Sequence, residues 1–266
     1  MDPSTGKAIG IPKKQYFDRW WIMVLAVVGI ILLLIFSKPD PYQRIFLFVR
    51  SGIWTTISIT GISFILVMFF GLFVALGRLA KNELLRGVAT VYVEVIRGIP
   101  MLVQLIFWYF AFPSLMQQLG SWFNLQSLMD YRANAISMAI LGLTVGYSAY
   151  MSEVYRAGIQ SISRGQMEAA RSLGMNYFQA MRYVILPQAL RVILPPVGNE
   201  FITLLKDSSL VSVVAVADMT RRGREFMAAN FIPIQTWVMV ALLYLVMTLL
   251  AARLVTWMER KFRMEK

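Results

Sequence analysis

The chain has 266 residues, of which 58% are hydrophobic and 15% charged, with a formal net charge of +12. Soluble domains carry about 25% charged residues, so this composition excludes an ordinary soluble domain and points to a polytopic membrane protein with basic loops. The absence of cysteine and histidine excludes disulfides, thiolate nucleophiles, imidazole bases and His/Cys metal sites, and with them most hydrolases and metalloenzymes.

In chain order, the first membrane candidate is the run "WWIMVLAVVGIILLLIFS", Trp20 to Ser37. At 1.5 Å per residue it reaches about 27 Å, enough for a bilayer core. Lys13, Lys14 and Arg19 precede it, but "SKPDPYQR" follows where a signal peptide would place a small-x-small cleavage site. It therefore reads as a retained helix. The second run covers 53–77 and stops at the basic, polar "RLAKNELLRG". The third, 88–112, carries Glu94, Arg97, Gly98 and Pro100 in its first half, which suggests a broken helix, and crowds aromatic residues at its end like an interfacial belt. A fourth covers 135–150 and continues as "MSEVYRAGIQSIS", a helix that projects beyond the bilayer. Runs at 195–219 and 232–254 complete a set of six candidate spans.

Positive charge concentrates at 7–19, 78–97, 156–191 and 260–266. By the positive-inside rule both termini are cytoplasmic, with "TRRGREF" near Arg221 as the exception. No soluble domain, alignable repeat or low-complexity tract is evident. "STGKAIG" near the N-terminus lacks the leading glycine and the strand-to-helix context of a phosphate-binding loop, so any ATPase must be another chain.

Between the fourth and fifth runs, in an inside loop, stands "EAARSLGMNYFQAMRYVILPQAL", Glu168 to Leu190. It reads as two short helices. "GQMEAARSL" is rich in helix formers, with Glu168 in its first turns near the positive end of the dipole. Gly174 suits a left-handed C-terminal cap, Asn176 an N-cap, and Pro187 ends the second helix. Met167, Ala170 and Leu173 share one face; Phe178, Met181 and Ile185 share another. Such a helix-turn-helix either packs back on its own membrane helices or docks into a groove of a cytosolic partner.

In "NEFITLLKDSSL", Asn199, Glu200, Thr203, Lys206 and Asp207 fall within about 120° of helical arc. A stripe with three ionisable groups does not face acyl chains. It lines a pathway or pairs its charges within the bundle, Lys206 offsetting Glu200 and Asp207. Glu94 with Arg97, and Glu153 with Arg156, have the spacing of helical ion pairs. Gln104, polar in an apolar run, either bonds across helices or lines the path.

These residues carry a resemblance. Glu168-Ala169-Ala170, Gly174, Leu186 and Pro187 resemble the EAA loop of bacterial ABC importer permeases, with Val184 where isoleucine is usual. "YVEVIRGIPMLVQ" (92–104), "AYMSEVYRAGIQSI" (149–162) and "NEFITLLKDSSLVSV" (199–213) resemble the polar amino-acid branch of that family. The likeness covers roughly Ser51 to the C-terminus. It implies an all-α, type I permease-like bundle of five core spans, 51–266, with the EAA loop at about 157–195. Residues 1–50 form an N-terminal cytoplasmic segment and an extra helix.

The resemblance further implies a multi-pass protein of the bacterial cytoplasmic membrane, surrounded by lipid. It couples to ABC ATPase subunits through Glu168, Ala169, Ala170, Gly174, Leu186 and Pro187. A second permease subunit and a periplasmic or extracellular amino-acid-binding protein complete the implied complex. No cofactor, metal or catalytic residue is expected in this chain, since ATP and magnesium belong to the ATPase, and no nucleic acid is implied. Gln104, Asn199, Glu200, Thr203, Lys206 and Asp207 are the candidate path residues. A self-sufficient, ion-coupled amino-acid carrier would also place charges in the membrane, but would not need the cytosolic knob. A membrane-embedded enzyme lacks any G-x-S-x-G or metal-ligand pattern to support it.

Overall fold

The computed structural model describes residues 19–262. Lys7, Lys13, Lys14, "STGKAIG" and the last residues of the basic tail lie outside the described residues. Regular structure within the described residues is helical: α1 (Arg19–Ser37), α2 (Pro39–Leu79), α3 (Glu83–Gly98) and α4 (Met101–Ile106). A π turn (Phe107–Ala111) leads into α5 (Phe112–Phe123), then α6 (Gln126–Met129), α7 (Ala135–Gln160), α8 (Arg164–Ser172) and α9 (Tyr177–Ala180). A second π turn (Met181–Ile185) continues as α10 (Leu186–Asp207) and a 3-10 turn (Ser208–Val214), followed by α11 (Met219–Asn230) and α12 (Pro233–Phe262).

Four described helices are long and apolar enough to cross a membrane: α1, α2, α7 and α12. A fifth crossing is made if α3 and the segment Met101–Phe123, bent by 102°, count as one broken span. That bend bears out the interruption expected at Gly98 and Pro100. The expected span at 195–219 is not one helix. α10 starts earlier, at Leu186, and ends at Asp207; the chain then tightens into the 3-10 turn, and Ala215 turns left-handed at φ 62°. The expected break at Pro187 is also absent. The preceding π turn closes with Leu186 N–H on the Met181 carbonyl, and this wider ring lets the helix run on through a proline that cannot donate.

The core is built from two clusters. One joins α2, α7 and α10 through Ile59, Val67, Leu143, Met151, Ile193 and Leu204. The other gives the N-terminal helix a packing role: Val24, Val27 and Ile31 of α1 meet Ile45 and Val49 of α2 and Met239, Val240 and Leu243 of α12. The boundary expected at residue 50 falls inside α2. Trp54, Ile65, Phe69 and Phe73 of α2 point outward and exposed. Apolar surface of this extent is unsuited to water and suits acyl chains or a membrane partner.

Candidate functional site

Two places concentrate the residues singled out by sequence: a knob between α7 and α10, and a polar cavity beside the break between α3 and α4.

The knob is α8, the turn at Gly174, and α9 with its π turn. Gly174 has φ +86°, the left-handed conformation expected of it. Its N–H donates to the Arg171 carbonyl at 3.0 Å, and the Met175 N–H to Ala170 at 3.2 Å. This paired pattern satisfies the last carbonyls of α8. Asn176 then starts α9 with a capping box: its side chain accepts from Gln179 N–H, and Gln179 Oε1 accepts from Asn176 N–H, both at 2.9 Å. Glu168 is exposed in the second turn of α8, which begins at Arg164.

Burial splits the two faces read from the sequence. Ala170, Ala180, Ile185 and Ala189 are buried between the legs, and Gln188 Nε2 donates to Gln166 Oε1 across them at 3.2 Å. Leu173 and Phe178, by contrast, are 81% and 84% exposed at the tip, with Tyr177 beside them. Glu168 and Ala169 face out, as do Leu186 and Pro187 further along the second leg. The loop thus packs back through its base and leaves an apolar tip uncovered.

At the root of the knob, Glu153 of α7 pairs with Arg156 on its own helix, as its spacing predicts, and with Arg78 at the end of α2. The second partner was not legible, because 75 residues separate Arg78 from Glu153.

The cavity has a volume of about 220 Å³ and is lined by Met101, Tyr147, Tyr150, Glu200, Thr203 and Asp207. Drug-sized ligand sites run to roughly 300–1,000 Å³, so anything this cavity admits is small. Tyr147 donates its hydroxyl to Asp207 Oδ2 at 2.7 Å. Arg97 lies with its guanidinium 5.2 Å from the centre of the Tyr150 ring, and its charge reaches Glu200 through space. The site thus sets two carboxylates and two phenols around one small space, with a cation over the Tyr150 ring. Such a set can hold both ends of a zwitterion.

Three of the five stripe residues line this cavity; Lys206 does not. It lines a wider, open groove of about 590 Å³ with Ser209, Thr220, Trp237, Tyr244 and Thr248. The expected neutralisation of Glu200 and Asp207 by Lys206 is absent among the described ion pairs, because neighbouring residues on a helix point about 100° apart. Asn199 is exposed, and the expected Glu94–Arg97 pair is likewise absent there. Tyr147 and Tyr150 were missed as liners. The available signal was a tyrosine inside an apolar helix, whose hydroxyl needs a partner.

Gln104 is buried and lines neither space. Its Nε2 donates to the carbonyls of Ile96 (2.8 Å) and Ile99 (2.9 Å), at the end of α3.

Residues 67–264 match the family model described as "Binding-protein-dependent transport system inner membrane component". The chain is 38% identical over 207 residues to the glutamine transport system permease protein GlnP of Escherichia coli K12, covering 78% of this chain and 88% of that one. It is 36% identical over 239 residues to the arginine transport system permease protein ArgU of Corynebacterium glutamicum, covering 86% and 75%. A solved structure described as an amino acid ABC transporter with histidines aligns with TM-score 0.72 at 38% identity, over 85% of this chain and 98% of that one. A family match over most of the chain, with relatives at this identity, makes this polypeptide a member of the binding-protein-dependent inner-membrane transport components, the permease subunits of polar amino-acid ABC importers.

Proposed function

We propose that this chain is the path-forming, motor-coupled permease of an amino-acid importer. The knob docks into a groove of a separate ABC ATPase, which holds the ATP and magnesium, and the bundle conducts the solute. The observation that carries this reading is the tip of the knob. Leu173 and Phe178 are more than four-fifths exposed on a turn that is capped on both sides and packed at its base. Apolar side chains held out by a rigid mount are the usual anchors of a helix-in-groove contact.

Closure of the ATPase moves the knob, and α7 and α10 transmit the motion as levers. The Arg78–Glu153–Arg156 cluster supports this by tying α2 to α7 at the root of the knob. The solute passes the cavity of Glu200, Thr203 and Asp207. Asn199, Thr203 and Lys206 are exposed on α10, and polar residues at such positions call for a second permease subunit rather than lipid. Solute is delivered by a separate binding protein on the outer face, with both termini of this chain cytoplasmic.

Purification of the chain from its native membrane tests the reading. The expected result is an ATPase that co-purifies and is released by the double substitution Leu173→Asp, Phe178→Asp. Vesicles holding only this chain that accumulate an amino acid down an ion gradient would overturn it in favour of a self-sufficient carrier.

A further inference from the structure

Gln104 explains how a helix can break inside a membrane. In an unbroken helix the Ile96 carbonyl would receive the N–H of residue 100. That residue is Pro100, which has none. From the backbone the carbonyl receives only a long 3.4 Å bond from Ile99 N–H. The Ile99 carbonyl is likewise left over, since α4 starts its own ladder with Gln104 N–H on the Pro100 carbonyl. One side-chain amide, entering from the next helix, bonds both orphans. Gly98, Ile99 and Pro100 are exposed, but the Gln104 side chain that holds the two carbonyls is buried. Gly146 of α7 makes the room: a Cβ there would stand 2.3 Å from Met101 Cε and 3.1 Å from Gln104 Oε1.

Arg97 lies between the two carbonyls that Gln104 holds. Its guanidinium projects from the last turn of α3 over Tyr150, a wall of the cavity. We propose that Gln104 is a positioning residue: its amide replaces the donor that Pro100 lacks, fixes the α3–α4 bend, and thereby aims Arg97 at the mouth of the Glu200–Asp207 cavity. Its effect on uptake rests on the reading of that cavity as the solute path; its effect on the position of Arg97 does not.

The absence of cysteine from the chain allows a direct test on the assembled transporter. Arg97→Cys reports the position of residue 97 through its rate of modification by a cationic, water-soluble thiol reagent, read on this chain after the subunits are separated. Thr203→Cys, on the facing helix, is the control. Gln104→Leu removes the donor, and Gln104→Glu keeps the shape but cannot serve both carbonyls, since an ionised carboxylate donates nothing and a protonated one has a single O–H. With either substitution, the modification rate at residue 97 changes by about fivefold or more while that at residue 203 stays constant, as expected when a buried donor is lost and its acceptors are stranded. An unchanged rate at 97, or equal changes at 97 and 203, overturns the proposal. Uptake by Gln104→Glu, with Arg97 intact, shows a half-saturating concentration raised about tenfold at unaltered assembly, the scale of a misplaced recognition group. If labelling at 97 shifts while uptake does not, the cavity is not the solute path and the positioning role stands.

Discussion

The chain interrupts its helices at a glycine or proline in two very different settings. At Gly174 the break closes locally: two backbone N–H groups return to the ending helix, and Asn176 and Gln179 cap the next one. At Gly98–Pro100 nothing local suffices, and a buried glutamine four residues beyond the proline reaches back to two carbonyls. The knob is exposed, so solvent can satisfy whatever the caps leave over. At the second break Gly98, Ile99 and Pro100 are exposed as well, but the amide that holds the two carbonyls is buried, and losing a buried donor costs the acceptors it leaves. One break is thus written in a few neighbouring residues, whereas the other recruits a buried side chain from the next helix.

The widest separation between the two regions should come from substitutions at the knob. Glu168→Lys and Gly174→Leu are expected to abolish ATP-driven uptake with membrane insertion intact. The first reverses a charge on the face proposed to dock, and the second forces a branched side chain into a left-handed conformation that costs about 1–2 kcal/mol. Uptake and insertion measured in the same vesicles check this, and normal uptake by both variants would remove the docking role. The next effect belongs to the membrane break, where Gln104→Glu should raise the half-saturating concentration and leave co-purification of the ATPase untouched. The knob variants should instead lose the co-purifying ATPase along with uptake. A mixed outcome at either site would merge two functions that the geometry keeps apart.

Lys206→Ala should impair transport with the complex still assembled, because Lys206 makes no described ion pair to lose and faces the open groove. Lower expression as its only consequence would make the residue structural. Asn176→Ala should cost about 1 kcal/mol of local stability through the lost cap, seen as faster amide exchange over α9 and little change in α3.

The smallest effect is a pH dependence outside both regions. Glu225 of α11, away from the candidate spans, is held below the usual carboxylate range by its bond to Arg221, with Arg222 adding to it. A depressed carboxylate stabilises the fold above its unfolded pKa, and that contribution is lost as pH falls through its folded value. Partial exposure keeps the term small. Melting curves between neutral and acid pH should therefore converge slightly for Glu225→Gln and wild type as pH falls.

The legibility of these features follows the same division. Gly174, Asn176 and the broken third run were readable because caps and breakers act on their immediate neighbours. The polar stripe of α10 was readable from helical periodicity alone, but the partition of its residues was not. Thr203 and Asp207 line the cavity and Lys206 the groove because of which helices lie on either side. Pro187 was misread for a related reason. A proline ends an isolated helix, but the π turn before it, held between packed legs at Ile185 and Ala189, carries the helix through.

The sequence by itself determined the membrane class and the caps of the knob, since composition is a summed property and capping a local one. Only the tertiary structure decided that Arg78 joins Glu153, that Tyr147 holds Asp207, that α1 completes a core with α2 and α12, and that Gln104 closes the break in α3. Those are meetings between helices. One-dimensional periodicity says which face a residue occupies, and only packing says what that face meets.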